Sequence, residues 1–109
     1  MSEMSDSTKY RCAVATSGNG SVSGVVGHSI IVLPNMAPEH AVKLLDAKVR
    51  GVVAEVGGML CHFAIVARER KIPVLILANA CKLLVEGDNV ELHPERMLVI
   101  TCHHNASNV

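Results

Sequence analysis

Aromatic residues are nearly absent from this chain. Of 109 residues only Tyr10 and Phe63 are aromatic, and there is no tryptophan. A domain of this length has room for one modest core, and here it must be built from Val, Ile, Leu, Ala and Met. The scarcity also removes the stacking platforms of a single-strand nucleic-acid binder. Charge of one sign is missing too: ten basic and ten acidic residues cancel, whereas a nucleic-acid surface needs a basic excess. No apolar run approaches a membrane span, and "MSEMSDSTKY" lacks the apolar centre of a signal peptide. The expectations are therefore no nucleic acid and no membrane. Cys12, Cys61, Cys81 and Cys102 are then read as reduced thiols of a cytoplasmic protein.

What is present is an alternation of short strands and helices. "YRCAVAT" (10–16) alternates and is β-branched enough for a strand. "SGNGSVSG" (17–24) is a turn or loop. "SIIVLP" (29–34) reads as a buried strand ending at Pro34. "PEHAVKLLDA" (38–47) suits a helix, with Pro38 in its first turn and Glu39 at its positive end. "VRGVVAEV" (49–56) is a strand, residues 62–71 a helix that must stop before Pro73, and "VLIL" (74–77) a strand. "NACKLLVEGD" (79–88) is a short helix closed by a turn, and "NVELH" (89–93) and "MLVITC" (97–102) are strands. The pattern is that of an α/β domain over residues 10–102, with loose tails at 1–9 and 103–109.

Three stretches invite a site. "GNGSVSG" holds Gly18, Gly20 and Gly24, one residue too long for a dinucleotide fingerprint and without the Gly-Lys-Ser/Thr of a P-loop, so it is read as a plain turn. Cys102, His103 and His104 adjoin, with Cys61, His62 and His93 as further donors, but no C-x-x-C or H-E-x-x-H spacing supports zinc, and no metal site is assigned. The third is "GGMLCHFAIVARERKIP", Gly57 to Pro73. His62 falls at the start of a helix directly after Gly57 and Gly58. Helix starts offer free N–H groups and a positive dipole end, which suit a phosphate and work against imidazolium. The neutral ring carries the lone pair that nucleophilic attack needs. Glycines let backbone approach a bulky anion. Arg68 lies roughly 9 Å along the axis and about 120° round from His62, a distance that spacing alone does not show to be bridged. The plainer possibility is that His62 merely begins a helix.

This stretch resembles the phosphohistidine swivelling domain of the phosphoenolpyruvate-utilising enzymes, the group of pyruvate phosphate dikinase, phosphoenolpyruvate synthase and enzyme I of the sugar phosphotransferase system. The matching residues are Glu55, Gly57, Gly58, Cys61, His62, Ala64, Ile65, Val66, Ala67, Arg68, Glu69, Ile72 and Pro73. "IIVLPNMAP" (30–38) and "LLVEGDNVEL" (83–92) resemble the family's Pro-containing loop and its late turn and strand, so the likeness spans about residues 12–100. It implies a compact three-layer β/β/α domain in which His62 accepts a phosphoryl group and relays it. Gly57, Gly58, Cys61 and Arg68 would hold the phosphate. The partners implied are a nucleotide-binding domain or subunit and a phosphoenolpyruvate/pyruvate-type barrel. Mg2+ and ATP or phosphoenolpyruvate would be bound by the partner, and no cofactor by this chain. The chain departs from the family pattern at two hydroxyl positions, where it has Ala37 before Pro38 and Leu60 two residues before His62. The alternative is a degenerate family member serving as a non-catalytic interaction or regulatory module.

Overall fold

The computed structural model describes residues 7–102. The expected C-terminal tail, with His103 and His104, lies outside the described residues. At the other end a strand already begins at Ser7, inside the stretch expected as a tail.

Eight strands form two four-stranded sheets. β1 (Ser7–Arg11), β3 (Val22–Val25), β7 (Asn89–His93) and β8 (Leu98–Cys102) make an antiparallel sheet in the order β1-β8-β7-β3. β2 (Ala13–Thr16), β4 (Ile30–Leu33), β5 (Gly51–Ala54) and β6 (Val74–Ile76) make a second sheet in the order β2-β6-β5-β4. In it β4, β5 and β6 run parallel and β2 antiparallel. Helix α1 (His62–Glu69) and a 3-10 helix (Pro38–Leu45) pack against each other, and α2 (Ala80–Leu83) is a single turn.

Two cores follow from the side-chain alternation of the middle sheet. Val53 and Leu75 point toward the antiparallel sheet and pack with Ile30, Val90, Leu92 and Val99. Val52, Ala54 and Val74 point the other way and pack with Phe63, Ala64, Ala67 and Leu44 from the helices. The result is the expected three-layer β/β/α arrangement. Every residue of β5 is buried, which is why that strand reads as an unbroken apolar run. Gly51 is required where the sheets meet: a Cβ there would lie 2.6 Å from a Leu92 methyl.

Three local expectations are corrected. Residues 10–16 are two strands, not one, because the chain crosses from one sheet to the other at Cys12, whose N–H donates to the Met97 carbonyl. Tyr10, Cys12 and Val14 all pack on the inter-sheet core, so the alternation runs through the crossing unbroken. Residues 38–45 wind as a 3-10 helix, with His40 N–H donating to the Ala37 carbonyl and Asp46 N–H to that of Lys43. No side chain at Ala37 caps the start, and the tighter i to i+3 bonds satisfy the ends instead. Val22–Val25, partly assigned to a loop, is a strand paired with β7.

Burial raises the Cys12 thiol from 9.0 to about 11. Between those values the unfolded thiol releases its proton and the folded one retains it. The folded state therefore binds more protons in that window and loses stability as pH rises through it. Thermal melts at pH 8 and pH 10.5 are expected to show a larger alkaline loss for the parent than for Cys12→Ala. Equal losses would mean that this thiol is not linked to folding.

Candidate functional site

His62 is the first residue of α1 and is exposed. Its position is set by its neighbours. Phe63 and Ala64, the next two residues, are fully buried in the helix-side core, which leaves His62 on the solvent side of the helix start. Cys61 is the N-cap in extended conformation, and its carbonyl accepts the first helical bond from Ile65. Its thiol turns back to donate to the Gly58 carbonyl at 3.3 Å, closing the 58–61 turn. No side chain caps the helix and no acidic residue sits in its first turn, so the positive end of the dipole is left uncompensated. Among the described residues no hydrogen bond reaches the His62 ring.

The two glycines do different things. A Cβ on Gly57 would sit 2.0 Å from the Met36 sulfur, so this glycine lets the loop after β5 close onto the loop after β4. A Cβ on Gly58 would meet nothing within 4 Å, so open space lies beside the turn that leads to His62.

Arg68 is held by backbone and not by His62. One Nη donates to the Met59 carbonyl at 3.0 Å and to the Ala15 carbonyl at 3.2 Å. The second bond depends on an irregularity in β2, where the register shifts between Val14 and Thr16 and leaves Ala15 without a cross-strand partner. Arg68 thus ties the 57–61 loop to β2, and its guanidinium carries more N–H donors than these two bonds use. Pairing irregularities have no signature in composition, so sequence reasoning missed Ala15. It also gave Glu55 no role beyond the motif. The Glu55 carboxylate accepts the Cys81 N–H at 2.8 Å and so anchors the start of α2. Burial, the hydrogen bond to Glu55 and its charge, in that order, all raise the Cys81 thiol.

Exposed apolar side chains flank His62 in sequence and on the neighbouring 3-10 helix. Leu60 is 87% exposed, and Val56, Met59 and Ile65 also face solvent, as do Val42 and Leu45 of the neighbouring 3-10 helix. Among the described residues no three His, Cys, Asp or Glu side chains gather to hold a metal ion, and no helix is long and apolar enough to cross a membrane.

The three-layer β/β/α domain thus presents an exposed histidine that opens a helix just after a glycine pair. Residues 25–96 match the family described as the mobile domain of PEP-utilising enzymes, and the chain belongs to that family. It is similar to two curated proteins, the rifampicin phosphotransferases of Bacillus subtilis and Bacillus cereus, each 38% identical over 50 residues. That stretch is 45% of this chain and 6% of either relative, so the relatives are far longer than the part they share with it. The solution NMR structure of a UPF0107 protein has the same fold, with a TM-score of 0.63 at 14% identity, covering 84% of this chain and 97% of that one.

Proposed function

We propose that this chain is a phosphoryl carrier whose His62 is transiently phosphorylated. In the first step a ring nitrogen attacks phosphorus, a P–N bond forms, and the bond from phosphorus to the donor's leaving oxygen breaks. In the second an acceptor oxygen attacks, and the P–N bond returns its electron pair to the ring. The observation that carries this reading is the position of His62: exposed, first in an uncapped helix, and within the stretch that matches the family. Helix N–H groups and the dipole would stabilise the phosphoryl oxygens, with Gly58 leaving room. Arg68 would hold the loop and offer its remaining donors. Cys61 would hold the turn.

The chemistry needs a partner. Phosphoryl transfer is catalysed mainly by positioning and charge neutralisation. The donors around His62 do not suit Mg2+, because no carboxylate stands in the first turn of α1. Magnesium and ATP or phosphoenolpyruvate are therefore assigned to a nucleotide-binding domain or subunit, and the second half-reaction to a phosphoenolpyruvate/pyruvate-type barrel. The apolar rim of Val56, Met59, Leu60 and Ile65 suits docking against each in turn. The unit that would carry the group runs from β1 to β8, residues 7–102, since Ser7, Thr8 and Lys9 pair with β8.

The test is to incubate the purified chain with an extract of the source cells and radiolabelled ATP or phosphoenolpyruvate. Acid-labile, base-stable label on the chain is expected. A chain that folds and stays unlabelled with both donors would favour the non-catalytic module.

The absent hydroxyls at Ala37 and Leu60 give a second check. A misplaced nucleophile can lose on the order of 100-fold in rate, and no described group orients the His62 ring. Ala37→Thr or Leu60→Thr is expected to speed labelling. Thermal melts alongside show whether both variants stay folded. Two folded variants that label no faster than the parent would show that the missing hydroxyls do not limit transfer.

A further inference from the structure

We propose a second binding site, for a small phosphate-class oxyanion, at the opposite end of α1 from His62. A cavity of about 480 Å3 opens there, and its lining includes Arg50, Arg70, Lys71, Asn19 and Ser23, with no acidic residue. The helix of eight residues separates it from His62 by roughly 12 Å. In a chain whose charges cancel, three cations share one concavity. None of the three forms an ion pair with a described residue.

The walls are fixed by the contacts of the 17–20 turn. Gly18, at φ +54°, lies so close to Pro73 that a Cβ would fall 2.3 Å from the proline nitrogen. The Thr16 hydroxyl donates to the Ile72 carbonyl beside it. These two contacts press the 17–20 turn onto residues 72–73 and bring Asn19 alongside Arg70 and Lys71. Ser21, at the rim, is within hydrogen-bond distance of His93 Nδ1 (3.1 Å), and Glu91 is paired to His93 Nε2 at 2.9 Å. The Glu91 carboxylate is thereby engaged by His93, and Glu91 is not among the residues lining the cavity.

A simpler account covers part of this. Cations at a helix C-terminus are favoured by its negative dipole end, which would explain Arg70 or Lys71. It does not explain Arg50, which comes from the turn before β5. Nor does it explain the backbone of Lys71, which is left-handed at φ 58°. That position just past a helix end is usually glycine. A lysine there carries a strain that glycine would relieve, and this strained residue lines the cavity. A ligand with two or more negative charges matches three cationic residues lining one cavity better than a monoanion does.

The site does not depend on His62, and its test is separate. The full chain, labelled for NMR, is titrated with inorganic phosphate at constant ionic strength set by chloride. Saturable shifts are expected at the amides of Asn19, Ser23, Arg50, Arg70 and Lys71, unchanged in His62→Ala. The double variant Arg50→Gln/Arg70→Gln, on exposed positions, is expected to keep the parent spectrum and weaken binding by tenfold or more, about what one charged hydrogen bond supplies. Lys71→Gly is expected to raise the Tm by roughly 4 °C while weakening phosphate binding. Shifts that do not saturate, that centre on residues 57–62, or that survive both variants at parental affinity would overturn the site.

Discussion

Replacing His62 by alanine is expected to abolish acid-labile phosphoryl incorporation and to leave the fold intact. The two halves of this outcome have separate causes. A nucleophile that forms the P–N bond has no substitute, so its removal eliminates labelling instead of slowing it. His28, His40 and His93 are the other described histidines, and none opens a helix of α1's length. Stability is spared because the His62 side chain is exposed and makes no described hydrogen bond, and changes at such positions fall within about 0.5 kcal/mol. Circular dichroism and thermal melts alongside the labelling assay separate the two. Label retained in the variant would place the acceptor elsewhere, and a collapsed fold would mean that His62 has a packing role the structure does not show.

One residue further on, the expectation reverses. Phe63→Ala is expected to cost about 3–5 kcal/mol, the usual range for emptying a buried aromatic site. Phe63 is the chain's one phenylalanine and is wholly buried. It packs in the helix-side core with Leu33, Leu44, Val52 and Val74. A domain of this size holds on the order of 5–15 kcal/mol in total, so the variant should melt lower by on the order of 15 °C and lose part of its folded population at physiological temperature. Labelling should fall with the folded fraction, measured at the same temperature, and recover on cooling. A Phe63→Ala protein with parental stability would contradict the placement of α1 on the middle sheet. It would also remove the physical reason for His62 facing outward.

Adjacent residues with opposite expected behaviour show how much of the site was legible. The glycine pair, the helix start and Pro73 locate His62 from sequence because each acts locally on the backbone. The buried run of β5 and the turn before β7 were readable for the same reason. The remainder depends on contacts distant in sequence. Arg68 meets Ala15, 53 residues away, through a pairing shift that no residue type announces. Gly57 is demanded by Met36 and Gly18 by Pro73, so their glycines looked like flexible loop when they serve close approach. The crossing at Cys12 was hidden because the inward-facing residues on both sides pack on one core. The 3-10 winding of 38–45 was hidden because its composition is that of an ordinary amphipathic helix.

The most direct measurement on the central claim is the position of the phosphoryl group itself. The chain is phosphorylated under the conditions above, digested at alkaline pH to preserve the P–N bond, and mapped by mass spectrometry with 31P NMR of the intact protein. A single phosphoryl group on the peptide containing His62, with a phosphoramidate resonance lost on acidification, is the expected result. A phosphoryl group on any other residue, or an acid-stable ester on serine or threonine, would contradict the account.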